Sequence, residues 1–120
     1  MKDNTLSLYE LFSVCDKNSN VVLTQNGKRV VVATKVGQEC FPFSIYPVEK
    51  ILHKNRQLRI SIGSERVHRD VFQERKIYLS DIMPLLEDGE KLALSDKFSE
   101  NIHKPIDNIK LSPLDILIIS

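Results

Sequence analysis

Apolar positions fall into two periods along this chain. Leu8, Leu11, Phe12 and Cys15 recur at i, i+3, i+4 and i+7, one face of a helix. Ser7 and Glu10 before and within that run form a capping box, in which each side chain serves a backbone N–H of the first turn. The helix should end in Asp16–Asn20, where short polar side chains compete for the backbone. Val21–Gln25 and Lys28–Thr34 flank Asn26 and Gly27, which tolerate the two positive φ angles of a type I′ hairpin turn. Simple two-residue closure pairs Leu23 with Val30 and Val21 with Val32 on one face, and Val22 with Val31 on the other. Both faces are apolar at the open end, which predicts a hairpin inside a sheet rather than at its rim.

Further along, Gly37–Ser44 reads as a connector, with a short strand at Phe41–Ile45. Pro47 suits the first turn of a helix running to about Lys54 and burying Val48, Ile51 and Leu52. Leu58, Ile60 and Ile62 alternate with Arg59 and Ser61, a half-buried strand. Glu65–Arg75 fits either a helix or a strand. Ile77–Leu79 reads as a strand, and Ser80 and Asp81 open a helix with Ile82, Leu85 and Leu86 on its apolar stripe. Pro84 lies near enough to its start to be tolerated, and Gly89 suits its end. Leu92–Leu94, Ile109–Leu111 and Asp115–Ile119 read as strands, and Ser95–Asn108 as a polar loop. The chain, residues 1–120, is therefore expected to be a single α+β domain. Its sheet should be mainly antiparallel, with about five to seven short strands and two or three short helices. The expected core comprises Leu8, Leu11, Phe12, Leu23, Val30, Val32, Ile51, Leu58, Ile60, Ile77, Leu85, Ile116 and Ile118.

Composition narrows the class more than the function. With 42% hydrophobic and 28% charged residues, the chain is globular rather than disordered. Two cysteines, Cys15 and Cys40, make no disulfide framework, and Cys15 on the helical stripe reads as a small buried hydrophobe. The opening residues are too polar for a signal peptide, and no apolar run reaches the roughly 18 residues of a membrane span. A small soluble, cytoplasmic protein with no membrane contact is the expectation.

Charge brings the clearest asymmetry. Val48–Tyr78 carries eight Lys or Arg against four acids, and Ser80–Ser120 carries eight acids against four lysines. Within the basic segment 50–76, Lys54, Arg56, Arg59, Arg66, Arg69, Arg75 and Lys76 are the candidate contacts to a partner protein or a nucleic acid. Only Phe72 and Tyr78 could stack on bases near this segment, and both suit a core.

Catalytic and metal motifs come close without closing. Asp16, Asn18 and Asn20 occupy the first ligand positions of a calcium loop, but its sixth and twelfth positions hold Val21 and Gly27 instead of Gly and a carboxylate. His68, Arg69 and Asp70 spell the start of a kinase catalytic loop, but Arg75 stands where its Mg²⁺-binding Asn belongs. His53, His68 and His103 share no ligand spacing, with one another or with the cysteines. No metal, cofactor or enzymatic activity is expected. The function expected is that of a small non-catalytic binding module, an accessory, inhibitor or adaptor protein acting through protein–protein contacts. A nucleic-acid-binding regulator using segment 50–76 is the alternative, and a homo-oligomer is compatible with either.

One segment resembles a known family. Leu8-Tyr9-Glu10-Leu11-Phe12, followed by Val22–Val32 with its Asn26-Gly27 turn, is similar to the helix–hairpin core of Phd/YefM-type antitoxins. The resemblance implies a DNA-binding dimer. It covers the 25 positions from Leu8 to Val32. The chain departs from the family in leaving little room for an opening strand before Ser7 and in ending on strands.

Overall fold

The Ser7–Glu10 capping box forms as the spacing demands. Glu10 N donates to Ser7 Oγ at 3.2 Å, and Ser7 N donates back to Glu10 Oε1 at 3.0 Å. The computed structural model describes residues 5–33, 37 and 39–120. The capped helix α1 spans Leu8–Phe12, shorter than the apolar stripe suggests. Cys15 leaves it to bridge Ile109 instead.

The architecture is α+β, with two sheets and three short helices. Strands β1 (Asn20–Gln25), β2 (Lys28–Ala33), β3 (Val48–Lys54) and β4 (Gln57–Ile62) form a sheet in the order β2-β1-β4-β3. After α2 (Leu79–Ile82), β5 (Lys91–Leu94), α3 (Lys97–Glu100), β6 (Ile109–Leu111) and β7 (Ile116–Ile119) supply a second sheet ordered β5-β7-β6. Both sheets are mixed: β1 runs parallel to β4 and β5 parallel to β7, and the other pairings are antiparallel.

Leu8 and Leu11 of α1 join Val21, Leu23, Leu58, Ile60, Leu117 and Ile119 in one buried cluster that runs through both sheets. The connecting segments pack on them: Leu86, ahead of β5, bridges Ile51 of β3, and Ile106 N, ahead of β6, donates to Ile77 O, ahead of α2, at 2.7 Å.

Two bulges overturn two sequence expectations. The segment expected as a helix from Pro47 to Lys54 is strand β3, with an extra residue between its pairings Val48–Ile62 and Lys50–Ser61. A bulged residue shifts the alternation by one, so Val48 and Ile51, three apart, both face the core. In sequence that spacing imitates a helix.

In the Asn26-Gly27 hairpin the pairing slips between Leu23 and Thr24, so Leu23 opposes Val31 rather than Val30, and Val22 opposes Val32. Val31 is buried, while Val30 and Val32, expected in the core, are 38% and 60% exposed. The hairpin is also not wholly interior, because β2 is the edge of its sheet.

Other corrections are local. Ile116 and Ile118 were expected inside, but Leu117 and Ile119 take the core and Ile118 is exposed. Phe12 and Leu85 pack on the core only partly buried. Phe41–Phe43 is a 3-10 turn led by Pro42, not a strand. Ile77 precedes α2 rather than forming a strand, and Pro84 turns the end of the expected longer helix into a 3-10 turn over Met83–Leu85. Proline lacks the N–H that an α-helical turn needs. A short helix, α3, stands inside the expected loop 95–108. Glu65–Arg75 is neither helix nor strand.

Candidate interaction surfaces

Segment 63–78 crosses α1 as an irregular strap. Val67 and Val71 are its buried apolar points, and Val67 N donates to Ile45 O at 2.8 Å. Its polar anchor is Glu10, only 3% exposed. Arg69 grips that carboxylate with both terminal nitrogens, Nη1 to Oε2 and Nη2 to Oε1, each at 2.6 Å. Such a fork is the strong form of a charge-assisted hydrogen bond. Arg75 Nη1 adds a contact to Glu10 Oε1 at 3.2 Å, and its Nη2 reaches Asp81 Oδ1 at 3.1 Å. Burial alone would raise the Glu10 carboxyl above its usual range. The hydrogen bonds from Arg69 and the Ser7 backbone, with the charges of Arg69 and Arg75, outweigh burial and hold it below.

The structure therefore divides the seven basic candidates. Arg69 and Arg75 turn inward onto Glu10. Lys54 and Arg56 lie at the β3–β4 turn, where Asn55 and Arg56 take positive φ angles of 54° and 61°. Arg56 N there donates to Asp115 Oδ1 at 3.4 Å. Arg59 is half-buried on β4, its Nη2 donating to Gln57 Oε1 at 3.3 Å. Arg66 and Lys76 are exposed on the strap. The whole of β4 separates Arg56 from Arg66, about 20 Å at a strand's rise per residue. The basic candidates thus spread from the β3–β4 turn along β4 to the strap.

What the fold does gather is aromatic. Tyr9 on α1, Phe41 in the 3-10 turn and Phe72 on the strap are 37%, 61% and 48% exposed. The Tyr9 and Phe72 rings meet edge to face with centroids 4.8 Å apart, and Phe41 stacks on Phe72 at 6.0 Å. Phe72, a residue type that suits a core, is instead the middle of an exposed cluster. Its members lie 32 and 31 positions apart in the chain, so no local pattern announces them.

No match to the chain is found among protein-family models, curated proteins or solved structures. The likeness to the antitoxin segment accordingly rests on Leu8–Val32 alone.

The chemically reactive groups are dispersed. Among the described residues no three His, Cys, Asp or Glu side chains converge as a metal site. Asp16 serves its own loop, accepting from Asn18 N at 2.9 Å. The His53 ring is buried with neither nitrogen hydrogen-bonded, and Nε2 lies 3.7 Å from Asp115. Both cysteines are free and buried. Burial, then the charge of Asp16, pushes the Cys15 thiol up to about 12. Burial also raises Cys40. A thiolate is the reactive form, so a maleimide at neutral pH should leave both cysteines unmodified in the native protein and label both in denaturant. Mass spectrometry reads the difference; labelling of native Cys15 would contradict its burial.

Proposed function

We propose that this protein is a small non-catalytic binding module, an adaptor, inhibitor or accessory protein, that engages another protein through the Tyr9–Phe41–Phe72 cluster. The observation that carries this reading is a cluster of three aromatic rings, Phe72 meeting Tyr9 edge to face and stacking with Phe41, left open to solvent. Aromatic residues concentrate binding energy at protein interfaces, and each buries a large area at a cost of only two side-chain torsions. The strap that bears Phe72 is pinned to α1 by the Glu10 fork. Holding the rings in place beforehand lowers the ordering cost of association. The two free thiols support a reducing compartment, in keeping with a cytoplasmic protein.

Affinity purification from the source cells under native conditions tests this, with wild type beside Phe72→Ser. A stoichiometric partner is expected whose recovery falls roughly 30-fold or more with the variant, the loss of one aromatic anchor at about 2 kcal/mol. Equal recovery by both, or no stoichiometric partner with wild type, would refute the reading.

Nucleic-acid binding is the second reading. It draws on Lys54, Arg56, Arg59, Arg66 and Lys76, none of which has an ion-paired acid among the described residues. Their distribution over opposite ends of β4 favours it less than clustering would. Binding to duplex or single-stranded DNA or RNA at low salt, weakening log-linearly as salt rises, would support it. Its absence at low salt would eliminate it.

A further inference from the structure

The four-stranded sheet has one face in the core and one face outside it. Strand alternation and the observed register place Val32, Val22, Arg59 and Leu52 in a single cross-strand row on the outer face. Val22 is buried yet stands outside the main core cluster, whereas its neighbours Val21 and Leu23 belong to it. Val32 is 60% exposed, and Leu52 and Arg59 are half-buried.

The rows on either side are polar and basic. One runs Arg29–Thr24–Ser61–Lys50 and the other Asn20–Gln57–Lys54. No acidic side chain stands in these rows. Arg29, Lys54 and Arg59 have no ion pair among the described residues. Lys50 alone meets an acid, Glu87 at 3.6 Å, through a contact open to solvent.

We infer that this outer face is a second docking surface, separate from the aromatic cluster, and that its occupant is a short acidic segment of a partner protein carrying apolar side chains. Charge complementarity selects the acids, because Arg59 within the row and Arg29, Lys50 and Lys54 beside it supply four cations, and these three rows hold no acid. Size selects a segment over a second copy of this chain. Four strands at about 4.8 Å and three rows at about 6.6 Å span roughly 14 by 13 Å. That is on the order of 200 Å², well short of the roughly 800 Å² each partner buries in a stable protein–protein interface. The rows present no aromatic ring, the element that single-stranded nucleic acids use for stacking. An acidic stretch with spaced Leu or Val side chains instead sets its apolar groups on Val32 and Leu52 and its carboxylates toward Arg29, Lys54 and Arg59.

The full chain, labelled with ¹⁵N, is titrated with a short glutamate peptide bearing two spaced leucines. The same peptide with lysine for glutamate, and an oligo(dT), serve as comparison probes. Amide shift changes are expected at Val22, Val32, Leu52 and Arg59, weakening with salt and absent with the lysine peptide. Arg29→Glu with Lys54→Glu, both at exposed positions, should weaken the glutamate peptide by about tenfold or more while inner-face amides of Leu23 and Ile60 keep their shifts. Phe72→Ser should leave the affinity unchanged, which separates this surface from the aromatic one. Tighter binding of oligo(dT) on the same rows would overturn the proposal in favour of a nucleic acid. Shifts located elsewhere, equal binding of the lysine peptide, or no response to any probe would overturn it outright.

Discussion

Replacing Glu10 by Gln should cost the protein about 3 kcal/mol, the low end of the penalty for breaking a buried ion pair by removing one partner. Glu10 is 3% exposed, and it is the common acceptor for Arg69, Arg75 and the Ser7 N–H. Glutamine can keep one hydrogen bond to the backbone, but it cannot accept the Arg69 fork through two charged oxygens. The penalty stays at the low end because the Arg69 and Arg75 side chains are 25% and 29% exposed and can turn partly toward water.

The same residue sets an acid sensitivity. The Glu10 carboxyl titrates below its ordinary value of 4.5 in the folded state. A group depressed on folding binds its proton more readily in the unfolded chain. Its contribution is therefore complete above the unfolded value and is lost as pH falls through the lower folded one. Urea midpoints measured from neutral pH down through that window should fall for wild type and fall less steeply for Glu10→Gln. Identical slopes would mean that the fork contributes nothing to the acid response. Because the fork holds the strap, the variant should also open the backbone amides of Val67 and Val71 to hydrogen exchange before those of β4.

Val31→Asp and Val32→Asp should part company by several kcal/mol. Val31 is 8% exposed and opposes Leu23 in the core, so Asp there buries a carboxylate among apolar side chains. A loss on the order of 4 kcal/mol is expected, enough to unfold a marginal domain. Val32, 60% exposed on the edge strand, should tolerate Asp at a cost under about 1 kcal/mol, mostly the lower strand propensity of aspartate. Thermal or urea unfolding of the pair checks this directly. The reverse order of stabilities would show that the hairpin closes without its bulge, with Val30 and Val32 inside.

That pair of residues also shows where a linear reading stops. The Asn26-Gly27 turn was legible because the two residues themselves favour positive φ, and the helix start was legible because Ser7 and Glu10 interact across one turn. The alternation in β4 was legible for the same reason: Leu58, Ile60 and Ile62 all face one side. A bulge is not local in this sense. Its extra residue is placed by what lies opposite: in β2 it reversed which valines face inward, and in β3 it put Val48 and Ile51 on one face at a helix-like spacing. β7 shows the same limit, since four consecutive apolar residues carry no alternation and only pairing with β5 and β6 selects Leu117 and Ile119.

The candidate site divides along the same line. Sequence alone located the excess of positive charge in 50–76, since charge is a property of composition. Whether those cations face solvent or an acid depended on where Glu10 came to lie, 59 residues from Arg69 and 65 from Arg75. The aromatic cluster and the cross-strand rows of the outer face are likewise products of pairing between distant segments. By itself the sequence determined the α+β class, the capped first helix, the hairpin and the charge asymmetry, each set by residues within a few positions of one another. Only the tertiary structure decided strand order, the inward side of each bulged strand and which side chains meet at the surface, because those follow from contacts between residues tens of positions apart.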